Sequence, residues 1–141
     1  MSTLSRITPL CLAVIAIAGC KNGASSSKLV GSWKLNTTGR PRTWVFEKGG
    51  AFQIDSTIEG TDVKRFGTFT LDGNKLTLDL SGKIMASSRD PKNRMVVSAI
   101  NASAPLPSLR TWDLEWKSST EFKLTEKGMG EKEAMTFDRN R

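Results

Sequence analysis

The chain has 141 residues, carries 21 Lys and Arg against 14 Asp and Glu, and contains two cysteines and no histidine. That length suits one small domain, and the missing histidine removes the commonest general base and transition-metal ligand, which argues against most catalytic schemes. The net charge of +7 is spread along the chain with acids between the bases, so it reads as a solvated surface or a contact with lipid headgroups rather than a nucleic-acid footprint.

At the N-terminus, Arg6 precedes an apolar segment, 10–18, and a polar, Ser- and Gly-rich stretch follows at 21–28. A membrane span needs about 20 apolar residues, so this shorter core predicts a secretory signal. The stretch Ile17-Ala18-Gly19-Cys20 resembles a bacterial lipobox. The resemblance implies a signal peptide over 1–19, removed so that Cys20 becomes the first residue and carries diacylglyceryl and a further acyl chain such as palmitate. Each buried methylene adds roughly 0.8 kcal/mol and more than one chain makes attachment stable, so the expected product is a membrane anchor in the cell envelope. Lys21 after the cysteine resembles an outer-membrane address in enterobacterial sorting, which implies an outer membrane facing the periplasm rather than the inner membrane or the cell surface. The alternative is an ordinary signal peptide with an incidental cysteine.

Processing at that point discards Cys11 and Arg6 and commits Cys20 to lipid. The mature chain keeps 20 basic against 14 acidic residues, a net +6, and no thiol for a disulfide, a nucleophile or a metal. Residues 20–28 then read as the lipidated cysteine and a flexible tether, and 29–141 as the domain.

Beyond the tether the dominant signal is period-two alternation, with no helical periodicity. Strands are expected at 29–35 with Trp33 and Leu35 on one face, at 43–48 with Trp44 and Phe46, at 51–58 with Phe52, Ile54 and Ile58, and at 63–71 with Gly67, Phe69 and Leu71. In the last of these Arg65 falls on the apolar side and Phe66 opposite, a conflict that a bulge near Gly67 would reconcile. Asp72-Gly73-Asn74 marks a hairpin, after which Leu76, Leu78, Leu80, Gly82 and Ile84 alternate as one long, bent strand. Asp90-Pro91-Lys92-Asn93 predicts a turn, 95–100 another strand, and 101–108, with Pro105 and Pro107, a loop over an open end. The final third places Trp112, Leu114 and Trp116 on one face, then Phe122 and Leu124, then Met135, Phe137 and Arg139.

Eight to ten short strands joined by hairpins must close or fold over to bury one face, and without crossover helices they pair antiparallel. The predicted fold is an all-β, antiparallel up-and-down β-barrel, with a Greek-key sandwich as the alternative. Leu29-Val30-Gly31-Ser32-Trp33-Lys34-Leu35, with Gly31-Ser32-Trp33 as its centre, and the later 43–52 and 67–76 segments resemble small bacterial lipocalin-like lipoproteins. The resemblance implies that a late arginine packs over the indole of the opening strand, a role that parity allows Arg139. The chain is shorter than a full lipocalin and lacks its disulfide and C-terminal helix.

Trp33, Trp44, Phe46, Phe52, Phe69, Trp112, Trp116, Phe122 and Phe137 supply most of the large apolar surface. They line a pocket for an apolar molecule or fill the interior, since a barrel of about eight strands can be plugged by its own side chains. Arg65 either meets a carboxylate headgroup or is displaced to the surface by a bulge. The acid pairs Asp113/Glu115 and Glu131/Glu133 alternate with inward residues or lie by a loop and are expected in water, and the sequons at Asn36 and Asn101 mean little in a bacterial lipoprotein. No catalytic residue, metal, cofactor or nucleic-acid partner is expected. The sequence therefore predicts a noncatalytic, membrane-anchored lipoprotein that binds a small apolar ligand, a lipid or similar. The alternative is an interaction or inhibitor module that acts through loops 86–94 and 101–108.

Overall fold

The computed structural model describes residues 23–104, 108–126 and 134–141. The signal segment, Cys20, Pro105, Pro107, Glu131 and Glu133 lie outside the described residues. A short helix, α1 (Gly23–Leu29), leads into β1 (Gly31–Asn36), β2 (Arg42–Phe46), β3 (Ala51–Ile58), β4 (Thr61–Asp72), β5 (Lys75–Asp79) and β6 (Ile84–Ser87). A 3-10 turn (Pro91–Asn93) and α2 (Arg94–Ala102) then precede β7 (Leu109–Ser118), β8 (Glu121–Glu126) and β9 (Met135–Arg139).

All pairings are antiparallel, running β1-β2-β3-β4-β5-β7-β8-β9, and β9 returns to β1 with Arg139 opposite Trp33. Eight wall strands thus close an up-and-down barrel, and no sandwich forms. Closure leaves no free edge in the ring. β6 carries the line of β5 onward along β4, with Arg65 opposite Ile84. Had the β5 register continued, Arg65 would face residue 82; two additional residues are therefore taken up between Leu80 and Lys83. The expected single strand is broken there, and the irregularity sits on this side of the ladder and not in β4. Because β4 runs against β3 without a register shift, Arg65 keeps the inward parity of Phe69 and Leu71 and lines the interior, so it is not a bulge-displaced surface residue.

The break depends on two glycines. A Cβ on Gly67 would run into the carbonyl of Asp79, and one on Gly82 into the carbonyl of Phe66. Phe66 N–H, meanwhile, donates to Lys83 O at 2.9 Å. Only glycine lets the backbones cross this closely.

Two segments depart from the expectations. Residues 95–100, expected as a strand, form α2. Asp90 accepts from Lys92 N–H at 2.9 Å with Pro91 in the first turn, a helix-start arrangement, and the half-buried residues Asn93, Val97 and Ile100 recur at helical spacing. The tether is also shorter than expected, because Gly23–Leu29 is helical. Its serines are poor helix formers; Leu29, fully buried in the core, holds it.

α2 occupies the flank where β6 has run past the start of β7. There Asn101 Oδ1 accepts from Ala86 N–H at 2.7 Å and Asn101 Nδ2 donates to Ala86 O at 3.0 Å. One side-chain amide thereby pairs both backbone groups as a neighbouring strand would, which blunts the edge. Gly67→Ala is expected to destabilise the fold by about 2–3 kcal/mol in urea unfolding, whereas Gly39→Ala, with ordinary clearance to Thr37, stays within about 0.5 kcal/mol. Asn101→Ala should raise hydrogen exchange at the Ala86 amide while amides of β1 and β9 keep their protection.

Candidate binding site at the open mouth of the barrel

The interior changes character from one end to the other. At the end where α1 enters, Trp33 is fully buried, and its Nε1–H donates to Leu29 O at 2.7 Å. The Arg139 guanidinium lies 4.7 Å from the centre of the Trp33 ring and donates from Nη2 to Lys28 O at 2.7 Å. Lys28 Nζ sits 4.2 Å from the Trp116 ring centre. These contacts tie α1, β1, β7 and β9 together and close this end.

Above this plug, aromatic rings fill the barrel. Phe122 stacks on Phe137 at 4.9 Å with 15° between planes, Phe46 meets Phe69 edge-on at 5.0 Å, and Trp44 contacts Phe137 at 4.7 Å and Phe52 at 5.3 Å. Phe46, Phe52, Phe122 and Phe137 are almost wholly buried. Most of the aromatics singled out from the sequence are therefore packed core and not pocket wall. Ring pairs of this kind contribute about 0.5–1.5 kcal/mol beyond the area they bury.

Trp44 and Trp112, 6.0 Å apart, are two exceptions. Together with Ile54, Leu80, Leu124 and Met135 they form the apolar part of a cavity of about 440 Å³ at the opposite end, whose polar part is Arg42, Arg65, Ser108, Arg110 and Glu126. The ladders show how the strands assemble it: Trp44 lies opposite Ile54 and Ile54 opposite Arg65, while Trp112 lies opposite Glu126. Arg42 and Arg110 sit two residues before Trp44 and Trp112 and share their inward face. Extending the alternation outward by one step would have found both arginines, and the same step beyond Leu124 would have found Glu126.

Three guanidiniums thus surround the mouth with one carboxylate. Among the described residues the ion pairs are Lys64–Asp55, Lys75–Asp113 and Lys117–Glu115, so none of these arginines has an ion-pair partner among them. Arg65 Nε and Trp44 Nε1 are shielded from water and meet no hydrogen-bond acceptor. A buried donor left unpaired costs about 1–3 kcal/mol.

Asp113 and Glu115, weighed as an acid pair, point outward. Asp113 bonds Lys75 across the ladder at 3.1 Å, and Glu115 bonds Lys117 at 2.7 Å. The hydrogen bond from Lys117, then its charge, hold the Glu115 carboxyl below the ordinary value. Among the described residues no group of three acids or sulfur ligands converges for a metal. A second cavity of about 610 Å³ lies at the closed end between α1 and the β2–β3 turn and takes Phe69 into its wall. It lacks unpaired buried donors.

No protein-family model and no curated protein matches the chain. Among solved structures it is similar to a lipocalin-like protein from Bacteroides uniformis, at 15% identity and a TM-score of 0.47, over 80% of this chain and 99% of that one. The barrel itself rests on the strand pairing.

Arg139→Met should cost about 1–2 kcal/mol in urea unfolding, since it removes both the cation over Trp33 and the bond to Lys28 O. The accompanying readout is a shift of Trp emission as the closed end loosens.

Proposed function

We propose that the protein is a noncatalytic binding protein of the bacterial envelope, anchored by lipid on Cys20, whose barrel takes a small, largely apolar ligand at its open mouth. The observation that carries this reading is the cavity of about 440 Å³ above Trp44 and Trp112. Its size and its mixture of indole, aliphatic and a few convergent polar groups are those of a ligand pocket. The filled interior beneath sets a limit: the ligand lies across the mouth and does not thread the barrel as a long acyl chain would. The lipobox supports the anchor, and Lys21 supports an outer-membrane, periplasm-facing location.

A second reading, a protein-interaction module, draws on the flank of the mouth. Met95 is 84% exposed and Leu109 73% exposed, with Val96 and Met85 also open to solvent. In that reading α2 and its approach, and not the barrel interior, would meet the partner.

Titration with a panel of short-chain fatty acids and short-chain phospholipids is expected to quench Trp fluorescence saturably, and Ile54→Trp, which fills the cavity, to reduce affinity about tenfold or more. If no panel member quenches saturably while crosslinking in cells returns one specific protein through α2, the interaction reading replaces the ligand reading. Cys20→Ser should move the protein from the membrane to the soluble fraction and abolish incorporation of labelled palmitate.

A further inference from the structure

Among the described residues the lining of the mouth holds three cations and one carboxylate. Arg42, Arg65 and Arg110 enter it from three different strands, β2, β4 and β7, and each projects from the inward face of its strand. No carboxylate pairs with any of them among the described residues, where Glu126 is the one acid in the lining. Folding shields Arg65 Nε from water without supplying an acceptor, which is costly for a charged group. Trp44 Nε1, across the same row of strands, is in the same condition. Residue choice points the same way: lysine outnumbers arginine in the chain, yet every cation lining this cavity is arginine. Guanidinium differs from ammonium in its planar fork, which matches the paired oxygens of a carboxylate or phosphate. Below the arginines the walls are indole and aliphatic, and the floor is closed by packed rings.

We propose that the mouth holds a compact anionic amphiphile: one carboxylate or phosphate against Arg65, flanked by Arg42 and Arg110, and a ring or short chain against Trp44 and Trp112. This rests on the reading of the mouth as the ligand site and adds the chemistry of the ligand's head and its limited length.

Four probes titrated into the full chain test it by Trp quenching and calorimetry: naphthoate, naphthyl phosphate, their uncharged isostere naphthamide, and decanoate. The two naphthyl anions are expected to bind about tenfold or more tightly than naphthamide, and the anion preference to shrink as salt rises. The ratio of naphthoate to naphthyl phosphate affinity identifies which anion the fork prefers. Arg65→Met should erase the preference while naphthamide affinity stays within about twofold, and Arg65→Lys, which keeps the charge without the fork, should restore only part of it. Arg110→Met serves the same purpose at a more exposed position should Arg65→Met unfold, as judged by circular dichroism. Naphthamide binding as tightly as naphthoate, or a preference that survives both arginine variants, overturns the anionic-head assignment and leaves the mouth as a neutral-ligand site. Failure of all four probes to bind overturns the ligand reading of the mouth together with it.

Discussion

Closure of the ring depends on the burial of Trp33. An eight-stranded wall gains its freedom from edges only when the last strand finds the first, and here that meeting is marked by Arg139 lying over Trp33 at the β1–β9 seam. The indole also needs an acceptor for its N–H, and Leu29 O provides it. One side chain therefore joins the entering helix, the first strand and the last strand. The first two elements thus come to depend on the last strand, at the other end of the described fold, which is the pattern expected of a cooperative small domain.

From that seam the interior grades along the barrel axis. The closed end is sealed by indoles under cations, the middle is packed aromatic rings, and the far end opens into arginine, indole and aliphatic surface. The same two-residue period produces all three zones, because each strand contributes one residue per level. β2 shows the gradation in brief: Phe46 in the packed middle, Trp44 at the cavity floor, Arg42 at the rim. Packed rings fill the closed end and the middle, and the arginines without an ion-pair partner among the described residues stand at the far level.

Much of the wall was legible in the sequence, since alternation reports which face of a strand is buried whatever its partners are. The hairpin at Asp72-Gly73-Asn74 and the inward set Trp112, Leu114 and Phe122 needed no further information. α2 was not, because Met95, Val97 and Ala99 alternate as well as they would on a strand, and β-branched residues favour that reading; the helix-start signal of Asp90-Pro91 was the contrary evidence. α1 had no local signal at all, because its helix depends on a long-range contact through Leu29. At the mouth, Arg42, Arg110 and Glu126 lay one step outside the runs that alternation defines most clearly. Which aromatics fill the core and which face the cavity is decided by ring packing in three dimensions, and periodicity carries no information on it.

The position of α1 has a consequence for how the barrel stands. It joins the barrel at the sealed end, through Leu29 beneath Trp33, and only two residues separate its first residue, Gly23, from Cys20. With Cys20 acylated as proposed, the sealed end would be the one held toward the bilayer and the arginine mouth would point away from it. The protein would then collect its cargo from the aqueous side or from a facing surface, and not from the leaflet that holds it.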